Sequence, residues 1–190
     1  RILTFQLEGD IVSISEKFNK KENTGQFANT GVMIEGKVST FKSSAIPPKS
    51  KIFLGHILEE GKVHSEFYIS KESLTKWKEL KYEKSKIKVN SLGIQYKYSE
   101  GRMEFPDILV RPSRTIITGE GGSSPSRFKH VVLSKSGKLR RLTPIELERL
   151  NMFPDDHTAG TTDTKRAFLM GNALVVGIIE KIGITLQKMS

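Results

Sequence analysis

Lys138-Leu-Arg-Arg-Leu-Thr-Pro-Ile-Glu-Leu-Glu-Arg-Leu-Asn-Met-Phe-Pro-Asp-Asp-His157 is the stretch around which the rest of the chain is organised. Thr143-Pro144-Ile145-Glu146 has the form of a capping box with proline at the first helical position, so a helix starts here. Leu147 and Leu150 share one face, with Glu146, Glu148 and Arg149 expected to point elsewhere. Phe153-Pro154 stops the helix, and Asp155-Asp156-His157 reads as a turn after it rather than a metal site. Downstream, Asp163 to Met170 forms a second short helix with Gly171 as its C-cap. Asn172 then caps a helix from Ala173 to about Lys188, with Leu174, Val175, Ile178, Ile179, Ile182 and Leu186 on one side. Gly177 and Gly183 weaken that helix by roughly 1 kcal/mol each, so it needs something to dock against.

These residues carry a resemblance. Arg141-Leu-Thr-Pro-Ile-Glu-Leu-Glu-Arg-Leu-Asn-Met-Phe-Pro-Asp-Asp156 resembles the ninth motif of the DNA (cytosine-5)-methyltransferases. Gly171-Asn-Ala-Leu-Val-Val176, followed by the apolar helix, resembles the tenth. The family attacks C6 of cytosine with a cysteine thiolate, held in a Pro-Cys motif of its N-terminal half together with a glycine-rich cofactor loop. This chain has no cysteine, so it carries no catalytic nucleophile of that kind, no disulfide and no cysteine-ligated zinc. The resemblance therefore implies a C-terminal half: a cut piece, a proteolytic fragment or the second subunit of a split enzyme, inactive without its N-terminal partner.

The 190 residues are 36% apolar, enough for one good core or two small lobes. No apolar run reaches 18 residues and no signal peptide is present, which reads as a cytoplasmic protein without a membrane partner. The net charge of +10 favours a polyanionic partner, and double-stranded DNA fits.

Taken in order, Arg1 to Ile14 reads as one or two strands around a Glu8-Gly9-Asp10 turn, with Arg1 to Phe5 resembling the tail of the family's eighth motif. Lys17 to Thr30 reads as a polar loop, and Gly31 to Phe41 as a hairpin turning at Glu35-Gly36. Ser44 to Ser50, with Pro47-Pro48, marks a boundary between lobes. Ile52 to Leu58 suits a strand or short helix, and Glu66 to Ile69 a strand. His56 and His64 lack ligand partners at metal-binding spacing, so no metal is expected. Ser70 opens a helix with Leu74, Trp77 and Leu80 on its core side and Lys71, Lys76, Lys78, Lys81 and Lys84 elsewhere. Ile94 to Ser99 alternates as a strand, a short strand follows Pro112, and His130 to Arg141 forms a hairpin turning at Lys135-Ser-Gly137.

Between the two hairpins lies Gly119-Glu-Gly-Gly-Ser-Ser-Pro-Ser-Arg-Phe-Lys129, with three glycines in four residues. Such a backbone approaches a ligand closely, while its side chains donate to phosphates or base edges. No Gly-Lys-Ser/Thr follows, so it is not a Walker loop. The resemblance implies a target recognition domain here, with Thr115, Gly119, Gly121, Gly122, Ser124, Ser126, Arg127 and Lys129 facing DNA. Arg127 is its best guanidinium for guanine O6 and N7. The tenth motif implies that Asn172 and Ala173 border S-adenosyl-L-methionine, Ala173 standing where many relatives have serine.

The resulting expectation is an α+β chain: a small mixed β-sheet recognition domain with irregular loops, short helices, and a C-terminal helix docking on a Rossmann-like catalytic domain outside this sequence. Residues 1–14 would end the catalytic-domain strand region, 15–140 form the recognition domain and 141–190 the two motif helices. The alternatives are a stand-alone sequence-specific DNA-binding module without catalysis and a scaffold whose only partner is protein.

Overall fold

The structure, a computed structural model, describes residues 1–17, 27–46 and 51–189. It divides into two compact units, Arg1–Ser50 and Lys51–Ser190.

In the first unit, β1 (Ile2–Gln6) is followed by a helix, α1 (Ile11–Lys17), where the sequence suggested a second strand. The cause is local. Asp10 Oδ1 accepts from the backbone N–H groups of Val12 and Ser13, both at 2.9 Å, and this N-cap outweighs the β-branched Ile11 and Val12. The hairpin of β2 (Thr30–Ile34) and β3 (Lys37–Phe41) turns at Glu35-Gly36 as expected, both residues having positive φ, 49° and 78°. β1 pairs antiparallel with β3, so the order is β1-β3-β2, with Val38 and Thr40 of the central strand buried. Most of the expected Lys17 to Thr30 loop, residues 18–26, and the Pro47-Pro48 break lie outside the described residues.

The second unit begins with a 3-10 turn, Leu54–Ile57, whose Leu54 and Ile57 enter the core. The Glu66 to Ile69 segment is a 3-10 turn over Ser65–Phe67, and only Tyr68 makes a lone bridge, to Arg140. Helix α2 (Lys71–Lys81) has the expected Ser70 cap and buries Trp77 to 1% exposure. It ends earlier than its lysine pattern suggested, because Tyr82 is extended, and Lys84 opens a strand instead. That strand, β4 (Lys84–Val89), pairs antiparallel with β5 (Gln95–Glu100). The stretch after Pro112 forms no strand, and residues 101–130 are irregular. A last hairpin joins β6 (Val131–Leu133) to β7 (Leu139–Arg141).

Helix α3 (Pro144–Leu150) has its capping box: Thr143 Oγ1 accepts from Glu146 N–H, and Glu146 Oε2 accepts from Thr143 N–H. Contrary to the simple amphipathic reading, Glu146 and Glu148 have no exposed surface at all. Arg140 pairs bidentately with Glu146 at 2.7 and 2.6 Å, and Arg166 reaches Glu148 at 2.9 Å. A buried carboxylate is tolerable only with such partners. Burial alone would raise the Glu148 carboxyl, but bonds from Thr158 and Arg166 more than offset this and hold it below the usual range. Leu147, Leu142, Val132, Ala167 and Met170 complete the core with Leu54 and Ile57.

Helix α4 (Asp163–Asn172) runs straight through Gly171, which is therefore not a C-cap. Asn172 is its last residue rather than the N-cap of the next helix, because Ala173 is the extended residue at the junction. Helix α5 (Val176–Gln187) follows Val175 as its N-cap residue, without a side-chain cap, and buries none of its residues. The molecule is α+β, with three small separate sheets among the described residues.

Candidate nucleic-acid interface

The glycine-rich loop is irregular in backbone and held from beneath by buried charge. Lys81, 2% exposed at the end of α2, donates its ammonium to the carbonyls of Arg127 and Lys129, each at 2.6 Å. Arg127 donates back to the carbonyls of Leu80 at 2.9 Å and Tyr82 at 2.8 Å, also reaches Gly101 O, and pairs with Glu100 at 3.1 Å. Lys129 Nζ bonds Gly122 O at 3.0 Å and Ser124 O at 2.9 Å, closing the loop on itself. Burial lowers the pKa of Lys129, and it lowers that of Lys81 to about 8.

A second set of bonds fixes the irregular segment leading into the loop. Arg114 grips Asp107 with Nε and Nη2 and donates Nη1 to Phe128 O, while Asp107 accepts from Val131 N–H. Glu120 accepts from both the ring and the backbone of the fully buried His130. Ser113 Oγ lies 3.0 Å from the other nitrogen of that ring. The order Ser113, His130, Glu120 is that of a hydrolase triad, but the hydroxyl donates to Arg114 O at 2.8 Å and the imidazole has no access to solvent. It is a structural brace.

Two glycines bring this loop against α4. A Cβ on Gly121 would lie 2.8 Å from Thr164 Cα, and one on Gly171 would lie 2.5 Å from the Ile117 carbonyl carbon. Neither approach is possible with a side chain.

The expected DNA-facing residues therefore fall into two groups. Thr115, Gly119, Gly122 and Ser124 are exposed, and Ser126 is half-buried with its hydroxyl accepting from Phe128 N–H. Gly121 is half-buried under α4, whereas Arg127 and Lys129 are 9% and 6% exposed and have their donors committed to the protein's own carbonyls and, for Arg127, to Glu100 as well. Asn172 is exposed, with its amide donating to Phe168 O at 3.0 Å. Ala173 and Thr115, far apart in sequence, line one cavity of about 460 Å³, together with Gly171, Arg114, Met152 and Val175.

The sequence reading missed Lys81, Glu120, His130 and Gly171 as builders of this surface. Only Gly171, a glycine inside an apolar helical run, carried any local signal. Among the described residues no cluster of His, Asp and Glu is suited to a metal ion.

A family model described as C-5 cytosine-specific DNA methylase matches residues 11–188. The Type II methyltransferase M.Sau3AI of Staphylococcus aureus is 39% identical over 189 residues, which are 99% of this chain and 43% of that protein. The chain thus spans less than half the length of that curated relative. No solved structure matches it. Because the match runs from α1 through the exposed loop and both motif segments to the end of α5, the chain belongs to the C-5 cytosine-specific DNA methylase family.

Proposed function

We propose that this chain is the DNA-recognition and cofactor-pocket-completing part of a DNA (cytosine-5)-methyltransferase of a restriction-modification system. It chooses the duplex site, while the nucleophilic cysteine resides in an N-terminal half. The observation that carries this reading is a family match over residues 11–188 in a chain with no cysteine. Methylating C5 through a covalent adduct at C6 needs a thiolate, and the faces of C5 and C6 are reachable only once the base has left the stack.

The exposed Thr115, Gly119, Gly122, Ser124 and the adjoining Ser126 form the DNA-facing tip of the recognition loop, with Gly121 setting its height above α4. Arg127 and Lys129 act beneath it, holding the backbone in one shape so that binding need not order it.

S-adenosyl-L-methionine, when bound, supplies the methyl group. Asn172 and Ala173 would border it, and the residues fit one wall of a pocket: Ala173 offers only a methyl group and main chain to the 460 Å³ cavity, and Asn172 is exposed. Its charged groups must be held by residues elsewhere.

Helix α5 would dock on the catalytic domain. Ile178, Ile182 and Leu186 are 56, 51 and 61% exposed and share one stripe. By length and composition alone Asp163–Gln187 would suffice to cross a membrane. Its first half, however, carries Asp163, Lys165 and Arg166 and packs Ala167 and Met170 into the core, which suits a protein partner.

The test is methyl transfer from labelled S-adenosylmethionine to mixed-sequence DNA, with this chain alone and with a matching N-terminal half carrying the Pro-Cys motif. Activity only in the mixture is expected. An inactive mixture, with sequence-specific binding by this chain alone, would instead make it a stand-alone recognition module.

A further inference from the structure

The β4–β5 ribbon takes no part in the core. Apart from Lys84, Tyr98 and Glu100, which are half-buried, every residue of both strands is exposed. An isolated two-stranded hairpin is marginal in water, and this one is secured at its two ends. At the tip, Asn90 Oδ1 accepts from Leu92 N–H at 3.0 Å and Ile94 N–H at 2.9 Å. At the base, Arg127 pairs with Glu100 and bonds the carbonyls of Tyr82 and Gly101, the residues flanking the two strands.

The register sorts its side chains by face. Lys84, Lys86 and Lys88 stand opposite Glu100, Tyr98 and Tyr96, whereas Ser85, Ile87 and Val89 stand opposite Ser99, Lys97 and Gln95. Three of the four ribbon lysines thus share a face with both tyrosines, and Lys88 Nζ sits 3.6 Å from the Tyr98 ring centroid. The one carboxylate on that face, Glu100, is already neutralised by Arg127 and accepts from Tyr98 OH at 2.7 Å. Lysines that merely guard a sheet edge have no reason to be gathered on one face with aromatic rings.

We infer that the β4–β5 ribbon is a second DNA-contacting arm, whose Lys84, Lys86 and Lys88 face lies against backbone phosphates of the duplex held by the glycine-rich loop. The inference rests on the DNA-recognition reading above and deepens it. A two-stranded ribbon is narrow enough to follow the major groove, and phosphate contacts by lysine fix position without reading sequence. Arg127 then has a definite task. Its backbone belongs to the loop and its guanidinium to the ribbon base, so both surfaces meet DNA as one rigid piece.

The experiment compares the assembled methyltransferase, this chain together with its N-terminal half, with the triple variant Lys84→Gln, Lys86→Gln, Lys88→Gln. Binding to specific and to random duplex is measured by anisotropy from 50 to 300 mM salt, a range set by the expected counterion effect. The plot of log affinity against log salt should flatten by roughly 2 to 3 in slope, about one per lost phosphate contact. Affinity for specific and random DNA should fall by the same factor. A control triple on exposed α2 positions, Lys71→Gln, Lys76→Gln, Lys78→Gln, removes equal charge and should leave the slope unchanged. If the wild type binds and the ribbon variant keeps its slope, or the control flattens equally, the arm does not exist. A wild type that binds no DNA would overturn the recognition reading and this inference together.

Discussion

At 2% exposure, Lys81 carries an ammonium group into the interior of the second unit, where its donors meet two main-chain carbonyls of the glycine-rich loop. Burial lowers its pKa from 10.5 to about 8, helped by the neighbouring Arg114 charge and opposed by Asp107 and Glu120. Between these two values the unfolded chain keeps a proton that the folded chain has released. The unfolded state then binds more protons, so this group's contribution to stability rises with pH across that window. The stability of the wild type relative to Lys81→Met should accordingly grow by roughly 3 kcal/mol between pH 8 and 10.5, as measured by urea unfolding of both proteins. A difference that is flat or falling with pH would mean that the ammonium is not desolvated. Arg127 teaches a related point. An arginine in a glycine- and serine-rich loop reads from sequence as a base-contacting donor, yet nothing local could show that Leu80, Tyr82 and Gly101 would present carbonyls to it.

Among the elements, α3 was legible in full outline, because capping box, proline at the first helical position and Phe153-Pro154 stop are all local signals. The burial of its two glutamates was not, since it depends on Arg140 from β7 and Arg166 from α4. Helix α4 was legible apart from its end. The sequence offered Gly171 as a terminator, but the helix continues because the missing side chain serves packing against residues 117 and 118. Gly171→Ala should therefore cost about 1 to 3 kcal/mol by overpacking, although alanine is the better helix former. Thermal unfolding checks this. A more stable variant would show that the approach of loop to helix is not tight. The β4–β5 ribbon escaped sequence reading altogether on its first strand, because alternating lysine and small or apolar residues after a lysine-rich helix continue the helical charge pattern without a break in composition.

Over the whole molecule, the distribution of exposed surface is uneven. The described chain buries a charged lattice beneath the glycine-rich loop while leaving the apolar α5 uncovered. Paired serine substitutions, Ile178→Ser and Ile182→Ser, should leave the melting temperature of the chain nearly unchanged, because neither residue is buried in it. They should weaken association with the N-terminal half by at least tenfold, since each buried isoleucine contributes on the order of 2 kcal/mol. Sedimentation of mixtures with wild-type and substituted chains measures this, and equal association by both would exclude α5 as the docking surface. The sequence by itself determined the α+β class, the α3 and α2 caps, the Glu35-Gly36 hairpin and the family, because each depends on residues within a few positions of one another or on a long ordered motif. The tertiary structure alone decided which charges are buried, that Thr115 and Ala173 share a cavity, and that Arg127 ties loop to ribbon. These depend on contacts between different segments, many of them tens of residues apart, and such a partner is set by how the elements pack, which no local pattern records.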